Sequence, residues 1–179
     1  MSKDELITMI EEFVKSNIPS TRERESYLVH VFGVRKYALM LAKLYNANEL
    51  VLEVASLIHD VGAYVGPEHA EESAKIAEEL LSKTELPKKI VEQIINCIKH
   101  HSLGAVADNI EEQIMQDADG LIFLEDTYKS FCENRKKQYP ESEARAITIK
   151  KVKAMMNKIK TEEGIRLAKG FLEKALKEI

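Results

Sequence analysis

The sequence Ser56-Leu57-Ile58-His59-Asp60-Val61-Gly62 places a histidine and an aspartate side by side at the end of an apolar run. This run, residues 49–59, is apolar around most of its circumference, as expected of a central buried helix. Such a helix brings the aspartate carboxylate into the interior, where it has to be paired or bound to a metal. Imidazole and carboxylate are good ligands for zinc, iron, manganese and similar divalent ions. The stretch therefore predicts a metal site at the end of a buried helix. The alternative, from these residues alone, is a polar helix end with a capped histidine.

The whole chain has the composition of a helical globular protein. Its 179 residues are enough for one domain with a full core. Hydrophobic residues make up 45% and charged residues 31%, and there are only four prolines, seven glycines and no tryptophan. This composition favours helices. We predict a single all-α domain over residues 1–179.

Charge and cysteine content exclude several classes of partner. The net charge of −4 gives no overall basic field for a nucleic acid polymer. Cys97 and Cys132 are far apart and lack metal-type spacing, so we interpret them as reduced thiols of a cytoplasmic protein. The sequence has no apolar signal core at its start and no run near the ~20 apolar residues of a membrane-spanning helix. We therefore expect a cytoplasmic location, with no membrane and no nucleic acid polymer as partner.

Helical periodicity predicts about eight helices, because apolar residues recur at spacings of three and four along most of the chain. A loop is expected at residues 62–67 and a polar connection at 134–142. The predicted helices are residues 3–16, 22–45, 49–59, 68–81, 88–101, 111–133, 143–160 and 162–177.

Two further side chains on helix faces could join the His59-Asp60 pair. His30 lies on the flank of the apolar stripe of the second helix, where a satisfied core histidine is the alternative. Asp119 lies between Met115 and Ile122 on one face of the sixth helix, where an unpaired carboxylate would be unfavourable. Both positions predict side chains that face the interior.

The remaining histidines differ in their predicted directions. His101 continues the stripe of Ile94, Cys97 and Ile98, so we expect it to face inward and His100 to be more exposed. His69 falls in the first turn of the fourth helix. From there it could reach the space outside the His59-Asp60 corner or stay in solvent.

The order His30, His59-Asp60, Asp119 resembles the H…HD…D motif of the HD-domain phosphohydrolase superfamily. The stretch from Ile98-Lys99-His100-His101-Ser102-Leu103 to Ile114-Met115-Gln116-Asp117-Ala118-Asp119 resembles a small bacterial and archaeal branch of it. The resemblance covers residues 27–124. It implies an HD-type helical bundle around a metal site, with a core region at about residues 22–133 and the C-terminal helices, residues 143–178, packed on it.

The resemblance also implies roles for individual residues. His30, His59, Asp60 and Asp119 would hold one divalent ion (Mn, Fe, Co, Ni, Zn or Mg), and Asp60 could bridge to a second. The other three histidines fall where two-metal members have further ligands or groups that transfer protons: His69, His100 and His101.

This chain departs from the family pattern at the positions that usually bind phosphate. Many relatives have an acid or a lysine just after the His-Asp pair, whereas residues 61–65 offer neither. Gly120 stands where many relatives have arginine. The remaining candidates for phosphate contacts are Arg24, Lys36 and Lys99, with plain surface positions as the alternative.

The implied function is divalent-metal-dependent hydrolysis of a small phosphate ester or anhydride, with a nucleotide as the favoured substrate. A bound ion lowers the pKa of its water and neutralises phosphoryl oxygens, which suits that reaction. The alternatives are an HD-type di-iron oxygenase, marked by iron retention and O₂ consumption, and a metal-bound regulatory or binding module without turnover.

Overall fold

The computed structural model describes all 179 residues as helices joined by short connections, without a strand. A 3₁₀ segment, Ala63–Glu68, precedes α4, and a π-helical turn, Phe123–Thr127, joins α6 to α7. The α-helices are α1 (Lys3–Ser16), α2 (Arg24–Tyr45), α3 (Glu49–Ile58), α4 (His69–Leu81), α5 (Lys88–Lys99), α6 (Ile110–Ile122), α7 (Tyr128–Lys136), α8 (Glu141–Lys158) and α9 (Glu162–Glu178).

The predicted all-α class is confirmed, and the number of helices depends on how the π turn is counted. The helical backbone continues without a break through Phe123–Thr127, so α6 and α7 form one continuous helix and the total is then eight. The predicted connection at residues 134–142 was too long, because the helix continues to Lys136 and α8 already begins at Glu141. Polar residues there do not stop a helix, since lysine, arginine and glutamate are good helix formers.

The helix α3 lies at the centre of the bundle. Asn48 caps its first turn by accepting a hydrogen bond from the backbone N–H of Val51. Every residue from Val51 to Ile58 is buried, against α1, α2, α5 and α6. The apolar sequence of this helix therefore fixes where the His59-Asp60 pair lies, because the pair follows directly at its buried end.

One charged residue, Glu53, is buried within α3. Its carboxylate pairs with Arg35 of α2 and, at 2.9 Å, with Lys3 of α1. Burial alone would raise the pKa of Glu53, but the two cations lower it below its ordinary value. This ion-pair network ties the first three helices together.

The C-terminal helices pack on α6 and on the π turn. Gly120 permits this approach: a Cβ there would lie 2.8 Å from the Ile159 side chain and 3.2 Å from the Met155 carbonyl oxygen. Asp117 stabilises the α8–α9 junction, because its carboxylate accepts hydrogen bonds from the backbone N–H groups of Lys160 and Thr161. The close contact places one face of α8 over the end of the bundle where α3 stops.

None of the helices is by itself both long enough and apolar enough to cross a membrane. By length and composition only, α3 together with Ala63–Leu81 meets the criteria as a pair bent by 117°.

Candidate metal centre

Six potential metal ligands from five helices meet around one cavity of about 160 Å³. His30 comes from the second turn of α2, and His59 and Asp60 directly follow α3. The other three are the first residue of α4, the second residue after α5 and a residue in the last turn of α6: His69, His101 and Asp119. All except His59, which lies fully buried behind the others, line the cavity.

The four residues of the H…HD…D pattern lie together. His30 Nε2 is 3.2 Å from His59 Nε2, 3.3 Å from Asp119 Oδ1 and 3.6 Å from Asp60 Oδ2. One potential ligand atom each from His30, His59 and Asp60 lies within 4.8 Å of the others. These residues form the first donor set.

Asp60, His69 and His101 form a second donor set, again within 4.8 Å of one another. The Nε2 atoms of the two histidines are 3.2 Å apart, and each is 3.6 Å from Asp60 Oδ1. Since Oδ2 of Asp60 faces the first set and Oδ1 the second, its carboxylate lies between the two.

Backbone hydrogen bonds determine which nitrogen of each ring is free. The Nδ1 atoms of His59, His69 and His101 lie 2.8, 3.0 and 2.6 Å from carbonyl oxygens three residues earlier in the chain. A carbonyl only accepts, so Nδ1 carries a hydrogen and Nε2 is the nitrogen that presents a lone pair in the neutral ring. The His69–His101 contact brings two Nε2 atoms to 3.2 Å from each other. Two imidazole nitrogens that face each other in this way are suited to bind one cation.

The protonation states also suit a divalent ion. Burial lowers the pKa of His30 and His69, and lowers that of His59 to about 3, so these rings are neutral near pH 7. Burial would raise the pKa of Asp60 and Asp119, but the surrounding histidines and basic side chains hold both below their ordinary values. Divalent ions bind neutral imidazole and ionised carboxylate. The residues present therefore fit a metal ion.

Comparison with known families supports this geometry. The family model described as "HD domain" matches residues 27–124, more than half of the chain. The chain belongs to the HD-domain family. All six donors of this HD-domain protein lie within the matched segment, whereas α8 and α9 lie outside it.

Solved structures share the fold over nearly the whole length. The structure of YpgQ from Bacillus subtilis is 19% identical with a TM-score of 0.77, and covers 99% of this chain and 95% of its own. A predicted HD superfamily hydrolase from an uncultured Thermotogales bacterium is 21% identical with a TM-score of 0.68, at 99% and 95% coverage. YpgQ in complex with ADP is 19% identical with a TM-score of 0.74, at 99% and 93% coverage. No curated protein matches the sequence.

In this HD-domain protein the cations of the cavity come from positions that the sequence analysis missed. Arg22 donates to Asp60 Oδ2 at 3.3 Å, and Lys158 donates to Asp119. Lys151 also lines the cavity. Lys151, Met155 and Lys158 follow the spacing i, i+4, i+7 on α8, a pattern that places them on one face. That spacing was the available signal for a basic face of α8 at the cavity.

The three basic residues expected to contact phosphate lie outside this cavity. Arg24 donates to the Lys15 carbonyl at 2.8 Å. The Nζ of Lys36 lies 3.4 Å from Oε2 of Glu125, and the Nζ of Lys99 lies 3.5 Å from Oε2 of Glu71. Each has an acceptor on its own part of the surface, and none lines the cavity.

His101 and His100 point in different directions, as the Ile94–Cys97–Ile98 stripe predicts. His101 is 2% exposed and belongs to the second donor set. His100 faces away, with Nδ1 2.7 Å from Glu112, and its side chain is 34% exposed. His100 therefore belongs to neither of the two donor sets. The Glu112 carboxylate also accepts hydrogen bonds from the Asp108 N–H and the Asn109 amide, so it holds the loop after α5 in place.

Proposed function

We propose that this HD-domain protein is a divalent-metal-dependent phosphohydrolase that acts on a small phosphate ester or anhydride, with a nucleotide as its substrate. The observation that carries the proposal is the Asp60 carboxylate between two donor sets whose histidine Nε2 atoms face inward. Two similar proteins support it: the Thermotogales protein is described as a predicted hydrolase, and YpgQ has been solved with ADP.

Two ions would share the donors. His30, His59, Asp60 and Asp119 would hold the first ion, and Asp60, His69 and His101 the second. When bound, such ions lower the pKa of a coordinated water and neutralise phosphoryl oxygens. Imidazole-rich sites suit Mn, Fe, Co, Ni or Zn better than Mg, which prefers oxygen ligands.

Basic residues of the chain keep the ligand carboxylates in place. Arg22 donates to the Oδ2 of Asp60, and Lys158 donates to the Oδ2 of Asp119. Hydrogen bonds of this kind fix the orientation of a metal-ligating carboxylate and strengthen metal binding. Substitution of either cation should therefore weaken metal retention without removing a ligand.

The rest of the cavity wall supports a nucleotide. Phe123 and Phe131 line it in an edge-to-face pair, with ring centroids 5.7 Å apart, and Leu103 and Met155 add apolar surface. A wall of this kind excludes water from the donors and offers a face on which a base can lie. The small size of the cavity and the net charge of −4 favour a small phosphate over a nucleic acid polymer. The cytoplasmic location stays a prediction.

The test is a panel of phosphate esters and anhydrides, assayed for phosphate release by purified protein of known metal content. Activity should disappear with a chelator and return with Mn²⁺ or Co²⁺. Asp60→Ala should reduce it by orders of magnitude, because one carboxylate serves both donor sets, while His100→Ala should retain it. Unchanged phosphate release by Asp60→Ala would show that the reaction occurs elsewhere and that the proposal is wrong.

The second candidate is a di-iron oxygenase, and one observation favours it: His69 and His101 complete a second donor set beside Asp60. Stable iron retention with O₂ consumption and no phosphate release would establish this function instead. Full metal loading without turnover of either kind would indicate a regulatory or binding module.

A further inference from the structure

The cavity contains three basic side chains, and one of them has no counter-ion. Arg22 is paired with Asp60, and Lys158 is paired with Asp119. Lys151 lines the same cavity, yet it takes part in no ion pair and no side-chain hydrogen bond. Its ammonium lies over the ring of Phe123, with Nζ 5.8 Å from the ring centroid. The Lys151 ammonium is therefore free to bind an anion.

The surroundings of Lys151 make an unpaired ammonium unfavourable. The residue is half-buried, whereas Lys150 and Lys153 on the same helix are exposed and solvated. Burial lowers the pKa of Lys151, and the charges of Asp119 and Asp60 oppose this shift. Both carboxylates thus act on the ammonium across the cavity, although neither is within ion-pair distance. A half-buried cation in this position gains from an anion that enters the cavity.

Lys151 and Lys158 reach the cavity from different turns of α8. Lys158, which reaches the donor Asp119, lies seven residues further along α8, or about 10 Å along the helix axis. The two lysines therefore start from different turns of α8. Since Arg22 and Lys158 already pair with the donor carboxylates, Lys151 is the basic side chain of the cavity that remains for another anionic group of the same molecule.

We propose that Lys151 binds a second phosphate group of the substrate, which makes the substrate class a di- or triphosphate and not a monophosphate. This inference rests on the proposed function, because the first phosphate is the one at the metal centre. A lysine ammonium binds phosphate oxygens as a compact point charge through charge-assisted hydrogen bonds.

The test compares Lys151→Met with Lys153→Met in metal-loaded protein. Both variants lose one positive charge from α8, but only Lys151 faces the cavity. Isothermal titration calorimetry measures the binding of inorganic phosphate and of pyrophosphate as probes. We expect the wild type to bind pyrophosphate more tightly than phosphate. Lys151→Met should lose pyrophosphate affinity by about ten- to a hundredfold, with phosphate affinity within about twofold of wild type. Lys153→Met should behave as wild type.

A thermal melt without anion shows whether the variant folds. Lys151→Met should have a Tm equal to or above that of the wild type, because the substitution removes an unpaired half-buried charge. Lys151→Gln provides a second variant of similar length with a polar end, and the same loss is expected. Pyrophosphate affinity that is unchanged in both variants, or an equal loss for both probes, would overturn the inference alone. If the metal-loaded wild type binds neither probe, the proposed function itself fails.

Discussion

Three of the donor histidines are oriented by backbone carbonyl groups of their own helical turns. The Nδ1 atoms of His59, His69 and His101 each donate to a carbonyl three residues earlier. No other side chain is needed to set these tautomers, so each ring direction follows from the local helix end. Metal-ligating histidines are usually oriented by such a hydrogen bond from the second ring nitrogen.

We expect His59→Ala to lose stoichiometric metal while far-UV circular dichroism shows nearly unchanged helical content. The His59 ring is fully buried and contributes its Nε2 to the first donor set, so the substitution removes a ligand without breaking a helix. His100→Ala is the matched control, since its ring faces Glu112 and it should keep its metal. Elemental analysis that finds stoichiometric metal in His59→Ala would contradict the four-ligand assignment.

Among the elements, the docking of α8 depends on a glycine of α6. A Cβ at Gly120 would lie 2.8 Å from the Ile159 side chain and 3.2 Å from a backbone oxygen, whereas one at Gly170 of α9 would meet nothing within 4 Å. Gly120→Ala should therefore lower the free energy of unfolding by about 1–3 kcal/mol through overpacking. Gly170→Ala should raise it by about 0.5–1 kcal/mol through helix propensity. Urea denaturation measures both, and a neutral Gly120→Ala would show that α8 can shift freely.

The ion-pair network of Glu53 predicts a pH-dependent contribution that joins α1, α2 and α3. Its pKa in the folded protein is below the ordinary value of 4.5. The contribution is therefore fully present above about pH 4.5 and is lost as the pH falls through the folded-state pKa. Glu53→Gln should reduce the free energy of unfolding by about 1–3 kcal/mol at pH 7, because Arg35 loses its buried partner.

The difference between Glu53→Gln and the wild type should become smaller in acid. Glu92→Gln on α5 is the control, since Glu92 is exposed and unpaired and should change stability little at any pH. Denaturant melts at several pH values give the comparison. A difference between Glu53→Gln and wild type that stays constant down to low pH would contradict the assignment.

The elements that the sequence predicted well are those whose signal is local. The apolar run of α3 and the stripe that turns His101 inward depend only on helical periodicity, and both agree with the structure. Lys151 and Lys158 could not be assigned in the same way. A lysine on a helix usually lies in solvent, and the Lys158–Asp119 pair joins residues 39 positions apart. Only the docking of α8 over Gly120 brings them to the cavity.

At the scale of the whole molecule, the donors unite five helices, so metal binding should be coupled to global stability. A ligand that binds only the folded state stabilises it by about 4 kcal/mol at a free concentration ~1,000 times its Kd. For a chain of this length that corresponds to an increase in Tm of about 8–16 °C. Differential scanning calorimetry with metal and with chelator measures the shift. His59→Ala should show almost none, and an equal shift in that variant would place the stabilising metal outside the centre.

The separation in sequence between residues that meet at the centre also has a consequence for the kinetics of folding. The side chains of His30 and Thr127 are in contact beside the centre, although the two residues are 97 positions apart in the chain. Contacts between residues so far apart in sequence form slowly during folding. The centre should then assemble after the rate-limiting barrier, where interactions alter the unfolding rate far more than the folding rate. In stopped-flow experiments, metal should slow unfolding in denaturant while refolding proceeds at nearly the same rate with or without it. The long lifetime of the metal-loaded protein would then result from slow unfolding.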